Sequence, residues 1–562
     1  MDYSRLCEVY QELESTTKGL EKTKIISNFL ENIKNYPEYI YLLQGNVFAD
    51  YDKRELGISI QLAIRSISQA TGVLDSDVVK EFKKLGDLGS AAEELIKKKK
   101  QQTSLFSKKL TIDKVLSNLR KLPTFEGKGT INQKLGLIVD LLHSATSNEA
   151  KFILRTVLGD LKVGVGSGLL RDAIADFCFK PKDIKEKKEV TEKIQEAYDK
   201  TTDFAEVFEK ALEKKLASIQ LSPGKPLKVM LFPKAHDIKD AFRIVGCPAA
   251  FEYKYDGFRA MINKDLSGKI KIFTRRLEEV TDQFPDIIEY VKKNIKAKSF
   301  IIDAEAVGYD FSTKKYTPFQ TISQRIKRKY GIHEMARKYP IELTVFDIIY
   351  YENKNLIEEP FKKRRKLIEK IIREEPFKII LAKQIITEDE KKVEEFYNEA
   401  LSKNQEGLMA KNLDSPYKPG ARIGYAVKLK PEDNEFDLVI TGAEWGTGKR
   451  AGWLTSFDIS CLDEDELKEV GKVSTGLKEL KEEGLSFVEM TEKLNDLIIE
   501  EHGKKVEVRP EIVVSVAYQN IQKSPTYSSG YALRFPRIKT LRPDRSKEDI
   551  ARLKEIKKEA GS

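Results

Sequence analysis

Four cysteines in a chain of 562 residues (Cys7, Cys178, Cys247 and Cys461) stand far apart and form no CxxC pair. Both a disulfide framework and a cysteine-held structural zinc are therefore disfavoured. Histidine is as scarce: the four residues are scattered and supply no metal-ligand cluster. No apolar run approaches the ~18 residues of a membrane helix, so no membrane partner is expected. The opening MDYSRLCEVYQELE is polar and periodic, unlike a secretory leader, and a cytoplasmic location is the expectation.

What the chain does have is length and charge. Its 562 residues exceed a single core, and about three or four domains is the prior. One third of the residues are charged and the net charge is +10, a mild bias towards polyanionic partners. Abundant Lys and Glu also fit a heat-adapted surface. Residues 1–222 read as a helical domain: Ile26, Phe29, Leu30 and Ile33 fall at i, i+3, i+4 and i+7, one apolar stripe. IQEAYDKTTDFAEVFEKALEKKLASI continues that habit until SPGKP (222–226) breaks it. Residues 227–431 alternate β-rich runs (KIKIFT, SFIIDAEAVGY, ELTVFDIIYY) with helical ones, an α+β domain built on an antiparallel sheet. Residues 432–562 suggest a small β-barrel with an internal helix, ended by SKEDIARLKEIKKEA, a helix with Ser546 and Asp549 in capping-box spacing. No internal repeat stands out.

The chemistry-bearing signal lies in the middle domain. Alternation puts i and i+2 on one strand face, which pairs Glu252 with Lys254 in FEYKYD, Asp303 with Glu305 in FIIDAEAV, and Lys428 with Lys430 in YAVKLKP. EGLMAK carries Glu406 and Lys411 at its ends. Burying any one such charge alone costs several kcal/mol, so several charged strand faces imply one shared polar cleft. Singly, each lysine is an ordinary solvated stem and each Asp-x-Glu an edge salt bridge; their coincidence changes that. Lysines 254, 428 and 430 with Arg259, Arg275 and Arg276 suit a polyphosphate. Glu305 and Glu406 suit a hard divalent cation, and Phe346 offers a flat face to a base.

KYDG, FTRR, DAEAVGYD, FDIIYYE, EGLMAK and VKLKP, in this order, together with the C-terminal LRFPRIKTLRPD, resemble the nucleotidyltransferase motifs of ATP-dependent DNA ligases. The likeness covers essentially the whole chain and is nearest the archaeal replicative type. KxDG alone is weak; seven ordered motifs are specific. The resemblance implies a helical DNA-binding domain, an antiparallel-sheet nucleotidyltransferase domain and a C-terminal OB-fold barrel. It implies sealing of nicked duplex DNA in replication, repair and recombination, using ATP and Mg2+, with Mn2+ as a substitute metal.

Carried over residue by residue, the resemblance makes Lys254 the nucleophile, with Lys428 and Lys430 as the neighbouring cations that favour its neutral form. Glu252 would select the base, Asp256 and Gly257 would make the turn, and Arg259 would reach the ribose or the 5′-phosphate. Arg275 or its neighbour Arg276 would contact ribose and phosphate, Glu305 ribose and metal, and Glu406 the metal. Phe346 would stack on adenine, Arg422 would bind the nucleotide, and Lys411 is a secondary pocket candidate. Arg534, Arg537 and Asp544 match the sixth motif, which closes over ATP. Ala426 stands where the family often has Trp, and Val229 where Pro is usual, so packing there departs from the pattern.

Beyond the pocket, RTVLGDLKVGVGSGLLRDAIA (155–175) suggests a phosphate grip through Arg155, Lys162 and Arg171, with the alternative that these side chains only pack helices. GVGSG lacks the lysine and strand–helix context of a nucleotide loop. Gln102, Leu105 and Phe106 in KKKKQQTSLFSKKL resemble a sliding-clamp-binding peptide; a loop folding back on its own domain is the bland alternative. The chain is expected to be a monomer. A capping-type guanylyltransferase, an RNA ligase and a DNA-binding scaffold with a decayed pocket are the rival readings.

Overall fold

A computed structural model describes all residues except 53, 101–108, 329, 421–423, 432–433, 447–449, 451, 480–484 and 562; the side chains of 99 and 100 are also undescribed. The chain forms two compact units, Met1–Lys430 and Pro431–Ser562.

The first 220 residues of the first unit are helical, as the apolar spacing predicts. Ile26, Phe29, Leu30 and Ile33 are buried along helix Gly19–Ile33, each contributing about 2 kcal/mol of transfer free energy on leaving water. The continuous run expected after residue 194 divides. Thr202 takes a left-handed conformation at the end of helix Ile184–Thr201, and Asp203 caps the next helix, Phe204–Leu212, by accepting from the N–H groups of Ala205 and Glu206.

The structure also shows a repeat that the sequence does not display. Residues 55–59 lead into helix Ile60–Thr71, and residues 162–166 lead into helix Ser167–Ile174. Gly57 (φ 65°) and Gly164 (φ 67°) occupy the same place in the two turns. Behind each, a lysine from another helix donates to the preceding carbonyl: Lys134 to Leu56 O at 2.9 Å and Lys22 to Val163 O at 2.5 Å. Only the glycines match in sequence, so the repeat is one of backbone and hydrogen bonding.

The middle of the chain holds two sheets rather than the single one expected. Its strands are β1 (Ala249–Tyr253), β2 (Phe258–Lys264), β3 (Ile270–Thr274), β4 (Phe300–Gly308), β5 (Ile341–Tyr351), β6 (Lys354–Asn355), β7 (Ile379–Leu381), β8 (Gln384–Thr387), β9 (Leu408–Asn412) and β10 (Ala426–Leu429). One sheet runs β10-β9-β1-β8 and the other β3-β2-β4-β5-β6, with β7 on β5 as the one parallel pairing among them. Residues 254–257 therefore carry the chain from the first sheet to the second. A crossing of this kind puts side chains from both sheets within reach of one point.

In the second unit, the strands are β11 (Asn434–Trp445), β12 (Leu454–Asp463), β13 (Glu466–Val473), β14 (Ile498–His502), β15 (Lys505–Val508), β16 (Val513–Tyr518), β17 (Asn520–Lys523), β18 (Tyr531–Arg534) and β19 (Arg537–Leu541). Long β11 changes partner part-way, from β16 over residues 434–439 to β15 over 442–444, with β12 on its other side. A bulge between Ile440 and Gly442 accompanies the change, and a strand that bends and switches partners curls its sheet. Helix Phe487–Asn495 is the internal one. The terminal helix starts later than expected, at Leu553. Ser546 and Asp549 do bond to each other, at 2.8 and 3.1 Å, but close only a turn. Buried Ile550 and the backbone hydrogen bonds of Ala551 with Asp437 and Leu462 tie the intervening segment to β11 and β12 and keep it out of the helix.

Candidate active site

Two loops are laced together by their backbones. The Lys254 N–H donates to the Gly407 carbonyl at 2.8 Å, and the Glu406 N–H donates to the Lys254 carbonyl at 2.8 Å. This reciprocal pair sets the two side chains side by side: Lys254 Nζ lies 2.8 Å from Glu406 Oε2. Antiparallel register then matches Leu408 with Leu429 and Met409 with Lys428, so Lys430 emerges beside Glu406 and its ammonium meets the same oxygen. Burial works to raise the Glu406 carboxyl, but Lys254 and Lys430 hold it down to about 2. Burial and the repulsion of Lys254 push Lys430 below the usual lysine range, against the pull of Glu406.

Glycine makes both approaches. A Cβ on Gly257 would stand 2.3 Å from the Ala306 carbonyl oxygen and 3.0 Å from Glu305 Cγ. Any side chain at 257 would thus lift the turn off β4. Gly407, at φ 130°, would place a Cβ 2.2 Å from the Leu429 oxygen.

Across the cleft, β2 and β4 pair Arg259 with Glu305. Arg259 is largely buried, its side chain 12% exposed, and forked onto Asp303, at 2.9 and 2.5 Å, while a third nitrogen donates to the Met230 carbonyl at 2.8 Å. Tyr417, also buried, donates to Asp303 at 3.0 Å. Glu305 is half-buried; desolvation pushes its carboxyl up to about 8, with Lys254 and Arg259 pulling the other way and Glu406 adding to the rise. Asp303→Ala is expected to cost about 3–5 kcal/mol, the penalty of leaving a buried guanidinium without its partner. A urea-unfolding midpoint indistinguishable from wild type would contradict that role.

At the far end of the cleft, Glu252 accepts from Gln384 at 2.8 Å and pairs with Lys411 at 2.5 Å. Phe346 lines a small cavity with Met230, Phe232, Arg259, Lys411 and Tyr425. Ala426 borders the same cavity and is paired in register with Lys411, so the cavity abuts the position where the family often has Trp. Lys428 is part-buried, and its backbone bonds to Pro233 and Ala235. Arg275 and Arg276 are both exposed on the turn after β3, and nothing in the geometry separates them. Arg422 lies outside the described residues, as do Gln102, Leu105 and Phe106.

Within the helical region, the three basic candidates differ. Arg155 points inward: its side chain is 5% exposed and paired to Asp87 at 2.8 Å and Glu14 at 2.9 Å. A guanidinium so enclosed braces helices and does not present itself to a duplex. Lys162 is 37% exposed, with Asp87 at 3.2 Å. Arg171 is half-buried, bonded to Asp172 and Gln195. In the second unit, Arg534 ends β18 with its guanidinium 4.9 Å from the Phe535 ring, Arg537 is exposed at the start of β19, and Asp544 pairs with Arg542 at 2.7 Å.

Sequence reasoning noted Asp303 only as a strand neighbour of Glu305 and missed Tyr417 and Gln405. The Gln405 side chain accepts from the Asp256 N–H at 3.4 Å. Asp303 had a signal, a carboxylate inside an apolar run; Tyr417 in SPYKPG had none. Among the described residues, no group of three or more His, Cys, Asp or Glu side chains gathers to hold a metal. Glu305 and Glu406, two carboxylates of which the second adds to the cost of ionising the first, fit the Mg2+ habit of one or two carboxylates plus substrate phosphates.

Comparison with known proteins adds a separate line of observation. The family model for the ATP dependent DNA ligase domain matches residues 229–430, that for the DNA ligase N terminus residues 2–175, and that for the ATP dependent DNA ligase C terminal region residues 450–545. The DNA ligase of Nanoarchaeum equitans is 46% identical over 99% of this chain and 98% of its own. That of Thermococcus fumicolans is 42% identical over 99% and 98%. The solved structure of Pmar-Lig_PreS3 covers 95% of this chain and 99% of its own with a TM-score of 0.56 at 17% identity, a likeness of fold alone.

Proposed function

Because this chain belongs to the ATP-dependent DNA ligase family, we propose that its cleft seals nicks in duplex DNA through an adenylate carried on Lys254. The observation that supports the residue assignment is the clustering of Lys254, Glu406 and Lys430 where the chain crosses between two sheets. The Lys254 nitrogen attacks the α-phosphorus of ATP: an N–P bond forms, the bridging P–O bond breaks, pyrophosphate leaves, and the amine gives up a proton. An oxygen of the 5′-phosphate at the nick then takes the AMP, breaking the N–P bond and restoring Lys254. Finally the 3′-hydroxyl attacks that 5′-phosphorus and AMP departs.

The reacting groups are phosphates throughout, so positioning and charge carry the rate. Lys428 and Lys430 face the charge that develops on the phosphate oxygens. Arg259, locked by Asp303, offers a fixed donor to the ribose or the 5′-phosphate. Phe346 supports the adenine ring, Glu252 accepts from its amine, and Arg275 and Arg422 complete the nucleotide contacts. Glu305 and Glu406 would hold Mg2+, which supplies Lewis-acid neutralisation of phosphate charge when bound. Lys162, Arg171 and the two glycine turns grip the duplex through its phosphates, with Arg155 acting only by bracing Asp87 and Glu14. Arg534, Arg537 and Asp544 act on the triphosphate from the second unit. The protein works as a monomer in the cytoplasm, and Gln102, Leu105 and Phe106 dock a sliding clamp.

One experiment tests the reading. The full chain is incubated with α-labelled ATP or GTP and run on a denaturing gel, then supplied with nicked DNA or nicked RNA. Label from ATP that moves onto nicked DNA and is released on sealing is expected. Preference for GTP would favour a capping enzyme, and sealing of RNA alone an RNA ligase. In the same assay a sliding clamp should stimulate wild type but not Phe106→Ala; equal stimulation removes the clamp contact.

A further inference from the structure

The helical region and the nucleotidyltransferase region meet across the segment that joins them, and that segment is fastened on both sides. Towards the helices, the Lys228 N–H donates to the Asp199 carbonyl at 3.0 Å. Lys228 Nζ lies 3.1 Å from Asp199 Oδ1 and 4.3 Å from the centre of the Tyr198 ring. Towards the cleft, the Met230 N–H donates to the Tyr417 hydroxyl oxygen at 3.2 Å, and the Met230 carbonyl accepts from Arg259 at 2.8 Å. The chain after Tyr417 completes the joint: the Gly420 N–H donates to the Lys228 carbonyl at 3.2 Å. Gly420 has φ 70°, and a Cβ there would stand 2.5 Å from Asp199 Oδ2. Asp199, 6% exposed, is thus enclosed by its own helix, by the joining segment and by the nucleotidyltransferase side.

Both glycine turns lead to the same place. Asp50, in the loop before the Gly57 turn, accepts from the Tyr198 hydroxyl. Ser167, which opens the helix after the Gly164 turn, stands beside that hydroxyl. Arg171 donates to Gln195 at 3.3 Å, and Gln195 donates to Asp199 at 2.8 Å.

We propose that Asp199 is a positioning residue for the two DNA-dependent steps, fixing the helical grip on the duplex relative to Arg259 so that the nick meets the adenylate on Lys254. Arg259 is locked separately by Asp303, itself held by Tyr417. Slack at Asp199 therefore frees the duplex and leaves the nucleotide in place. Duplex DNA bends little within its persistence length of about 150 base pairs, so a tilt at the grip is carried on to the reacting phosphate. The assignment rests on the reading above, in which the helical region holds the duplex and Lys254 the adenylate.

The test uses the full chain and three measurements: lysine–AMP formation from labelled ATP without DNA, affinity for a nicked duplex, and the single-turnover rate of AMP transfer at saturating duplex. Asp199→Ala and Lys228→Met should leave the first two unchanged. They should slow the third roughly tenfold, short of the 100-fold or so that an ångström of fixed misplacement costs. Asp199→Asn, which keeps an acceptor for Lys228 and Gln195, should recover part of the rate. Gly420→Ala should give the same split by pushing on the joint from the other side. Asp199 and Lys228 form one contact, so the double variant should lose no more than the worse single one. Lysine–AMP formation that falls in parallel with transfer would overturn the proposal, as would losses that multiply. So would weakened DNA binding with a wild-type transfer rate at saturation, or wild-type values throughout. Lys228→Met replaces a part-exposed side chain, so the comparison stands even where Asp199→Ala does not fold. A wild type that loads Lys254 but passes no AMP to DNA would sink the sealing reading itself, and this assignment with it.

Discussion

Lys254→Ala is expected to form no covalent adduct with labelled ATP, a loss of roughly 10⁴-fold or more, the scale seen when a covalent nucleophile is deleted. The geometry leaves no substitute. Lys430 is the other ammonium on Glu406, but it leaves the end of β10, whereas Lys254 is held by two backbone hydrogen bonds at the crossing between sheets. The same variant should still close a nick that arrives already adenylylated, because the last step needs the 3′-hydroxyl and the surrounding cations rather than the amine. That retained step separates loss of chemistry from loss of fold. Adduct at the wild-type level would contradict the assignment, and loss of both steps with a normal unfolding curve would place Lys254 in DNA positioning instead.

Gly407→Ala is expected to damage stability and chemistry together. Alanine at φ 130° is strained in any surroundings, and here its Cβ would lie 2.2 Å from a backbone oxygen of β10. That oxygen belongs to Leu429, directly before Lys430, and the Gly407 carbonyl is the acceptor for Lys254. Relief of the clash therefore moves both ammonium groups relative to Glu406. A cost of about 2–4 kcal/mol in urea unfolding is expected for strain of this kind. Lysine–AMP formation should fall about 100-fold, the scale of an ångström of misplacement. Wild-type values in both measurements would show that the loops are not laced as described.

Much of this site could be read from residue types and spacing, because charge in an apolar strand demands a partner. Lys254, Glu406 and Lys430 were placed in one cleft on that ground, and they meet within salt-bridge distance. The matching of Glu252 with Lys254 on one face rested on strand alternation, yet β1 ends at Tyr253. Lys254 turns into the cleft because of the Gly407 bond, a contact 153 residues away in the chain that local pattern does not encode. Tyr417 and Gln405 were invisible for the same reason: each matters through hydrogen bonds to residues far away in the chain. Arg155 was misjudged because a basic residue looks alike in sequence whether it faces phosphate or Asp87 and Glu14. The paired glycine turns escaped notice because their likeness lies in φ and in Lys22 and Lys134, which come from other helices.

The most direct measurement of the central claim is to locate the adenylate. Wild-type protein is loaded with ATP, digested under conditions that preserve an N–P bond, and the modified peptide is sequenced by mass spectrometry. Adenylate on Lys254, lost in acid and stable in base as a phosphoramide should be, is the predicted result. Adenylate on Lys430, Lys428, Lys411 or any hydroxyl side chain would contradict it.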